Sequence, residues 1–200
     1  METKELKIRI TFTEELLGTA SANPEIHREY IASKAPDATS VEDEVAALGV
    51  DEVVENAMSV FARTEEGKPM LWDYQIKGFF KDACGSLSRL KDASKSGKLK
   101  AYKKIIDGLI FVNPRKIPIV FDGAVGDCQR PLRASTAQGD RVALANSEAI
   151  PAGAYIDLTV TLLDPKLEDV LVEWLDYGKL RGIGQWRNSG KGRFIYELSR

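Results

Sequence analysis

Apolar and polar residues alternate at the start of the chain. Leu6, Ile8, Ile10 and Phe12 are separated by Lys7, Arg9 and Thr11, the period of two that puts one face of a strand on a core and the other in water. The alternation returns at Ile156, Leu158, Val160 and Leu162, interleaved with Asp157, Thr159 and Thr161. Elsewhere the period becomes helical. Ile76, Phe79, Phe80, Ala83, Cys84, Leu87 and Leu90 form one stripe behind Asp73, a competent N-cap. Leu167, Val170, Leu171, Trp174 and Leu175 form another behind Asp164-Pro165, an N-cap followed by a proline at the first helical position. Gly178 is the expected end of that helix, and Phe194–Leu198 reads as a closing strand.

Shorter strands are predicted at Gly108–Val112, at Ile117–Phe121 and at Arg141–Leu144, with loops at Lys91–Lys98 and Gly126–Arg133. The stretch 18–67 reads as a mostly helical insertion after the first strand. Pro24 opens a short helix carrying His27 and Tyr30, and Val41–Ala62 has apolar residues near helical spacing with a break at Gly49. Strand, helix, strand at both ends of the chain gives two related halves, and the fold class is α+β in a single domain, 1–200.

With 200 residues and 44% hydrophobic composition, the chain can build a proper core. It has no apolar run of membrane-spanning length and no apolar leader. The expected location is the cytoplasm, with no membrane partner. Cys84 and Cys128 are the two cysteines, without a CxxC pair or a histidine cluster, so neither a disulfide framework nor a zinc site is expected. No cofactor or metal is expected.

The formal net charge of -2 hides a segregation. Between Glu25 and Glu66 acids far outnumber the three cations Arg28, Lys34 and Arg63, whereas Lys77, Lys81, Arg89, Lys91, Lys95, Lys98, Lys100, Lys103 and Lys104 face only Asp82 and Asp92. Clustered cations of this kind are a footprint for polyanions. Lys77 and Lys81 lie off the apolar stripe of their helix. The segment Leu180–Phe194 is more specific. It holds Gly182, Gly184, Gly190 and Gly192 with Arg187, Lys191 and Arg193 between them. Glycine leaves backbone N–H groups unshielded and permits positive φ, so such a loop can approach phosphates while the cations neutralise them. Trp186 offers a face on which a base could stack. Because the loop follows a helix and enters a strand, it has the wrong order for a Walker loop or a dinucleotide fingerprint. Arg130 and Arg133, in the expected loop 126–133, add two further cations.

These residues carry a resemblance. The run GIGQWRNSGKGRF before a terminal strand is similar to the C-terminal glycine-rich loop of the RAMP superfamily, the RNA-binding proteins of CRISPR effector complexes. Tyr74-Gln-Ile-Lys-Gly-Phe-Phe-Lys81 resembles the Lys-Gly helix of the subunits that line the guide RNA, and Glu148-Ala-Ile-Pro-Ala-Gly153 resembles their lead into the second half. The resemblance implies a ferredoxin-like (RRM-like) sheet with helices on one face and single-stranded RNA along the glycine loop and basic helix. The partners it implies are RNA, copies of the chain itself or CRISPR effector subunits. A stand-alone relative from a phage or mobile element fits the same pattern. The acidic 18–67 insertion departs from the common pattern. Single-stranded DNA remains an alternative ligand, since phosphate contact and stacking do not read the 2′-hydroxyl.

Two other readings stay open. His27, the lone histidine, sits soon after the first strand, where some RAMP relatives hold a catalytic histidine. It could act as general base in a metal-independent endoribonuclease, with Tyr30 or Lys34 beside it. Asp37 is a weaker candidate for a metal-assisted cutter. The other reading is an interaction protein that mimics an effector subunit.

Overall fold

The computed structural model describes residues 2–21, 58–136 and 139–199. Their strands and helices, in chain order, begin with β1 (Lys4–Phe12), β2 (Leu16–Leu17), β3 (Ala20–Ser21), β4 (Met58–Val60), β5 (Ala62–Arg63), β6 (Pro69–Trp72) and α1 (Asp73–Leu87). After two 3-10 turns come α2 (Tyr102–Leu109), β7 (Ile110–Asn113), β8 (Lys116–Pro118), β9 (Gly126–Thr136) and β10 (Gly139–Ile150). The chain closes with β11 (Tyr155–Leu162), α3 (Glu168–Arg181) and β12 (Phe194–Ser199).

The central sheet has the order β12-β1-β11-β7, with every neighbouring pair antiparallel. Setting aside α2 and the strands outside this sheet leaves β1-α1-β7 followed by β11-α3-β12, the two strand–helix–strand halves of a ferredoxin-like fold. The alternation of the sequence sets its faces. Leu6, Ile8, Ile10 and Phe12 of β1 and Ile156, Leu158, Val160 and Leu162 of β11 are all buried. They pack with Ile76, Phe79, Phe80, Ala83 and Cys84 of α1 and with Val170, Leu171, Trp174 and Leu175 of α3 in one core. Cutting a wholly buried side chain such as Phe80 to alanine costs about 3–5 kcal/mol. The other face of the sheet stays open, with Arg9 held by both oxygens of Asp157 at 2.7 and 2.8 Å.

Several elements differ from the sequence reading. Gly178 does not end the second helix. It lies inside α3, and a Cβ there would fall 2.0 Å from the Phe194 ring, so this glycine is a site of close packing. The stretch 126–133, expected to be a loop, is most of β9, which pairs along its whole length with β10. The described ends of the 18–67 stretch are strands: Met58–Val60 joins β10 in parallel and Ala20–Ser21 antiparallel. The remainder of that insertion, with His27, Tyr30, Lys34 and Asp37, lies outside the described residues. Asp73 is the first residue of α1, and the cap is Trp72, whose N–H donates to Gln75 Oε1 at 2.7 Å. No helix among the described residues is long and apolar enough to cross a membrane.

Candidate nucleic-acid interface

The glycine loop leaves α3 at Gly182 (φ 78°) and folds into two limbs that touch. Ile183 N–H donates to Gly192 O at 2.9 Å, and Gly192 N–H donates to Glu15 O at 2.8 Å. A Cβ on Gly192 would lie 1.8 Å from Ile183 O, and one on Gly182 would lie 2.5 Å from Lys191 O. Both glycines therefore let the limbs meet, with the Ile183 side chain buried beneath them. Gly184 rests on Leu17 O, 3.1 Å from where its Cβ would be. Gly190, also at positive φ, has no backbone nearby, only the Arg193 side chain.

Trp186 starts the turn Arg187–Ser189 with φ 51°, a left-handed conformation that a bulky residue rarely adopts. The residue stays 39% exposed, whereas Trp72 and Trp174 are buried. The Arg130 guanidinium, reaching across from β9, lies over the Trp186 ring at 5.2 Å and donates from Nη2 to Gln185 Oε1 at 2.8 Å. Gln185 Nε2 in turn donates to Ser59 Oγ at 3.0 Å, tying the loop to β4. Nε and Nη1 of Arg130 are buried and have no acceptor among the described residues. A buried donor left in this state costs about 1–3 kcal/mol.

The other loop cations are partly engaged. Asp82 of α1 accepts from Arg187 Nη1 at 2.7 Å and from Arg181 Nε at 3.3 Å, and Arg181 also donates to Asn188 Oδ1 at 2.6 Å. Lys191 meets Glu15 at 2.5 Å, and that hydrogen bond raises the lysine above its ordinary range. Arg193 is exposed and has no ion pair among the described residues. Arg133 sits in the β9–β10 ladder opposite Val142.

Lys77 and Lys81 fall on a different side of α1. Lys77 lies over the Phe111 ring at 4.9 Å, with burial pushing its ammonium below the usual lysine range, and Lys81 pairs with Asp107 of α2 at 2.5 Å. The side of α1 turned to the glycine loop carries Gln75, Gly78 and Asp82. With Ile183, Gly184, Met70, Trp72 and Arg187 they line a cleft of about 410 Å³. The loop, Arg130 and this cleft are thus contiguous, and the two lysines are apart from them. Gln185, Asp82, Glu15 and Ser59 were not singled out from the sequence. They mark themselves only through partners far along the chain. Among the described residues no three His, Cys, Asp or Glu side chains are grouped to hold a metal ion.

The class that the topology defines is an α+β protein with a ferredoxin-like core. No known family's sequence pattern matches the chain, and no curated protein matches it. Solved structures do, 149 chains in all. One is a chain in the cryo-EM structure of Type III-B Cmr-beta bound to cognate target RNA, with a TM-score of 0.51 and 11% sequence identity. The alignment covers 100% of this chain and 60% of that one, so this chain spans about three fifths of its neighbour's length. At that identity the likeness is one of fold.

Proposed function

We propose that this protein binds single-stranded RNA across the glycine loop, as a subunit of a CRISPR effector of the RAMP kind or as a stand-alone relative. The observation that carries the reading is the Arg130–Trp186 pair. A guanidinium held on a partly exposed indole sets a positive charge for a phosphate beside a ring for a base. Stacking on such a ring is worth roughly 1–3 kcal/mol per base. Arg193 and, on release from their carboxylates, Arg187 and Lys191 would extend the phosphate track. The fold likeness to a chain of an RNA-bound assembly supports the same reading. Lys77 and Lys81 belong to it only if the strand bends round α1.

The test is fluorescence anisotropy of a labelled 20-nucleotide RNA over a salt series, with Arg130→Gln and Trp186→Leu. Arg130→Gln is expected to reduce the slope of log affinity against log salt by about 0.7, the value for one phosphate contact on a single strand. Trp186→Leu should weaken binding roughly 5- to 150-fold at unchanged slope. Wild-type affinity and slope in both variants would remove the loop from the binding site.

A further inference from the structure

The cations that follow α1 remain unused by the glycine-loop reading. Between Arg89 and Lys104 the chain carries Arg89, Lys91, Lys95, Lys98, Lys100, Lys103 and Lys104 against the single acid Asp92, and all seven cations are exposed. Lys95 lies 3.3 Å from Asp169 across two exposed side chains. The other six have no ion pair among the described residues. In a chain of net charge -2 this is a concentrated patch.

A lysine-rich loop is usually a mobile, solvated one, but this loop is fastened. Ser94 and Ser96 are buried within it. The Glu173 carboxylate on α3 accepts from Lys95 N–H at 2.8 Å, from Ser96 N–H at 2.9 Å and from Ser96 Oγ at 2.6 Å. Ser96 Oγ also accepts from Trp174 Nε1 at 2.9 Å, while Ser94 Oγ donates to Leu87 O at 2.8 Å and accepts from Gly97 N–H at 2.9 Å. The chain doubles back so tightly that a Cβ on Gly97 would sit 1.9 Å from Lys91 O. Lys91, Lys95 and Lys98 therefore project from one compact knob, continued by Lys100, Lys103 and Lys104 at the start of α2.

From this geometry we infer a second polyanion site, and its chemistry selects a nucleic-acid duplex. Single-strand binders need aromatic faces for unstacked bases. The knob has none. Its one aromatic, Tyr102, is half-buried and packed against the core, its hydroxyl lying 2.8 Å from where a Cβ on Gly85 would be. Lysines act as point charges that meet phosphates without reading bases. A duplex offers a charge about every 1.7 Å of axis, the density that a cluster of neighbouring ammonium groups neutralises best. The site is sequence-independent and takes the paired phosphate backbones of RNA or DNA. It goes beyond the glycine-loop reading and does not depend on it.

The experiment measures anisotropy of blunt 20-base-pair RNA and DNA duplexes, and of a single-stranded RNA, over a salt series. The proteins are the wild type and a variant carrying Lys98→Gln, Lys100→Gln, Lys103→Gln and Lys104→Gln. All four side chains are exposed, so the variant should melt with the wild type. The expected result is duplex binding at least tenfold weaker at 0.1 M salt, with a slope shallower by about 0.9 for each lysine that had met a phosphate, and unchanged single-strand affinity. Comparison of the two duplexes tells whether A-form or B-form geometry is preferred. Equal duplex affinity and slope in both proteins would overturn the inference, and so would a wild type that binds neither duplex, which leaves an acidic protein surface as the partner. Loss of single-strand binding in Trp186→Leu tests the glycine loop separately.

Discussion

Two glycines of one loop should respond very differently to alanine. In Gly192→Ala the new methyl group would lie 1.8 Å from Ile183 O, at a residue with φ 69°. The left-handed backbone alone costs an L-residue roughly 1–2 kcal/mol. The limbs must also separate, breaking Ile183 N–H to Gly192 O and Gly192 N–H to Glu15 O, at about 1 kcal/mol each. The total is about 3–4 kcal/mol, a large part of the ~5–15 kcal/mol that holds a domain folded. In Gly190→Ala, φ is 85° and the nearest atom to the new Cβ is Arg193 Cζ at 3.4 Å, on a side chain free to move. Only the backbone term remains, about 1–2 kcal/mol. With a urea slope near 2 kcal/mol/M, the unfolding midpoint should fall by about 1.5–2 M in Gly192→Ala and by about 0.5–1 M in Gly190→Ala. Equal shifts in the two variants would show that the limbs do not pack as described, and the glycines would then be features of flexibility alone.

Acrylamide should quench one class of tryptophan, and Trp186→Phe should abolish it, since Trp72 and Trp174 are buried; quenching that survives the substitution would place another indole at the surface. Arg187→Ala or Lys191→Ala should weaken single-stranded RNA less than Arg130→Gln in the same anisotropy assay, because Asp82 and Glu15 already hold those cations. The Tyr196 hydroxyl donates to Asp176 at 3.1 Å, and burial followed by this bond pushes its pKa up to about 12. Because the folded value exceeds the unfolded one near 10, this contribution to stability is complete below pH 10 and is lost as pH rises through about 12. A tyrosinate absorbance titration should show one late component that vanishes in Tyr196→Phe. Labelled single-stranded RNA should remain intact on incubation with the protein, with and without a divalent metal; cleavage lost in His27→Ala would make the protein a ribonuclease.

The central sheet and both of its covering helices were legible because each depends on a local period. Leu6 to Phe12 and Ile156 to Leu162 each repeat every second residue, and α1 and α3 carry apolar stripes. The features that escaped depend on partners distant in sequence. Gly178 reads as a helix end because glycine is a poor helix former, and only the Phe194 ring explains its place inside α3. The polar run Gly126–Arg133, with Pro131 inside it, shows no alternation, yet its backbone pairs with β10. The helix α2 is eight residues long, too short for its apolar residues to declare a period. Trp174, on the apolar stripe of α3, and Trp186, in the loop, separate correctly on periodicity. The ion pairs of Arg187 and Lys191 do not, since Asp82 and Glu15 stand 105 and 176 positions away.

The position of β1 between β11 and β12 has a consequence for how the protein is made. Its register partners are Tyr155–Leu162 on one side and Phe194–Ser199 on the other. At a synthesis rate of about 5–20 residues per second, this strand waits roughly 10–40 s after its own emergence for its last neighbour. Until Tyr155–Leu162 has been made it presents two unpaired edges, and until Phe194–Ser199 follows it still presents one, with an apolar face of Leu6, Ile8, Ile10 and Phe12. Closure of the sheet is therefore a late event with long loops to pay for, the slow class of folding topology. The strand that reads most plainly in the sequence is the one that must be guarded longest from pairing with another chain.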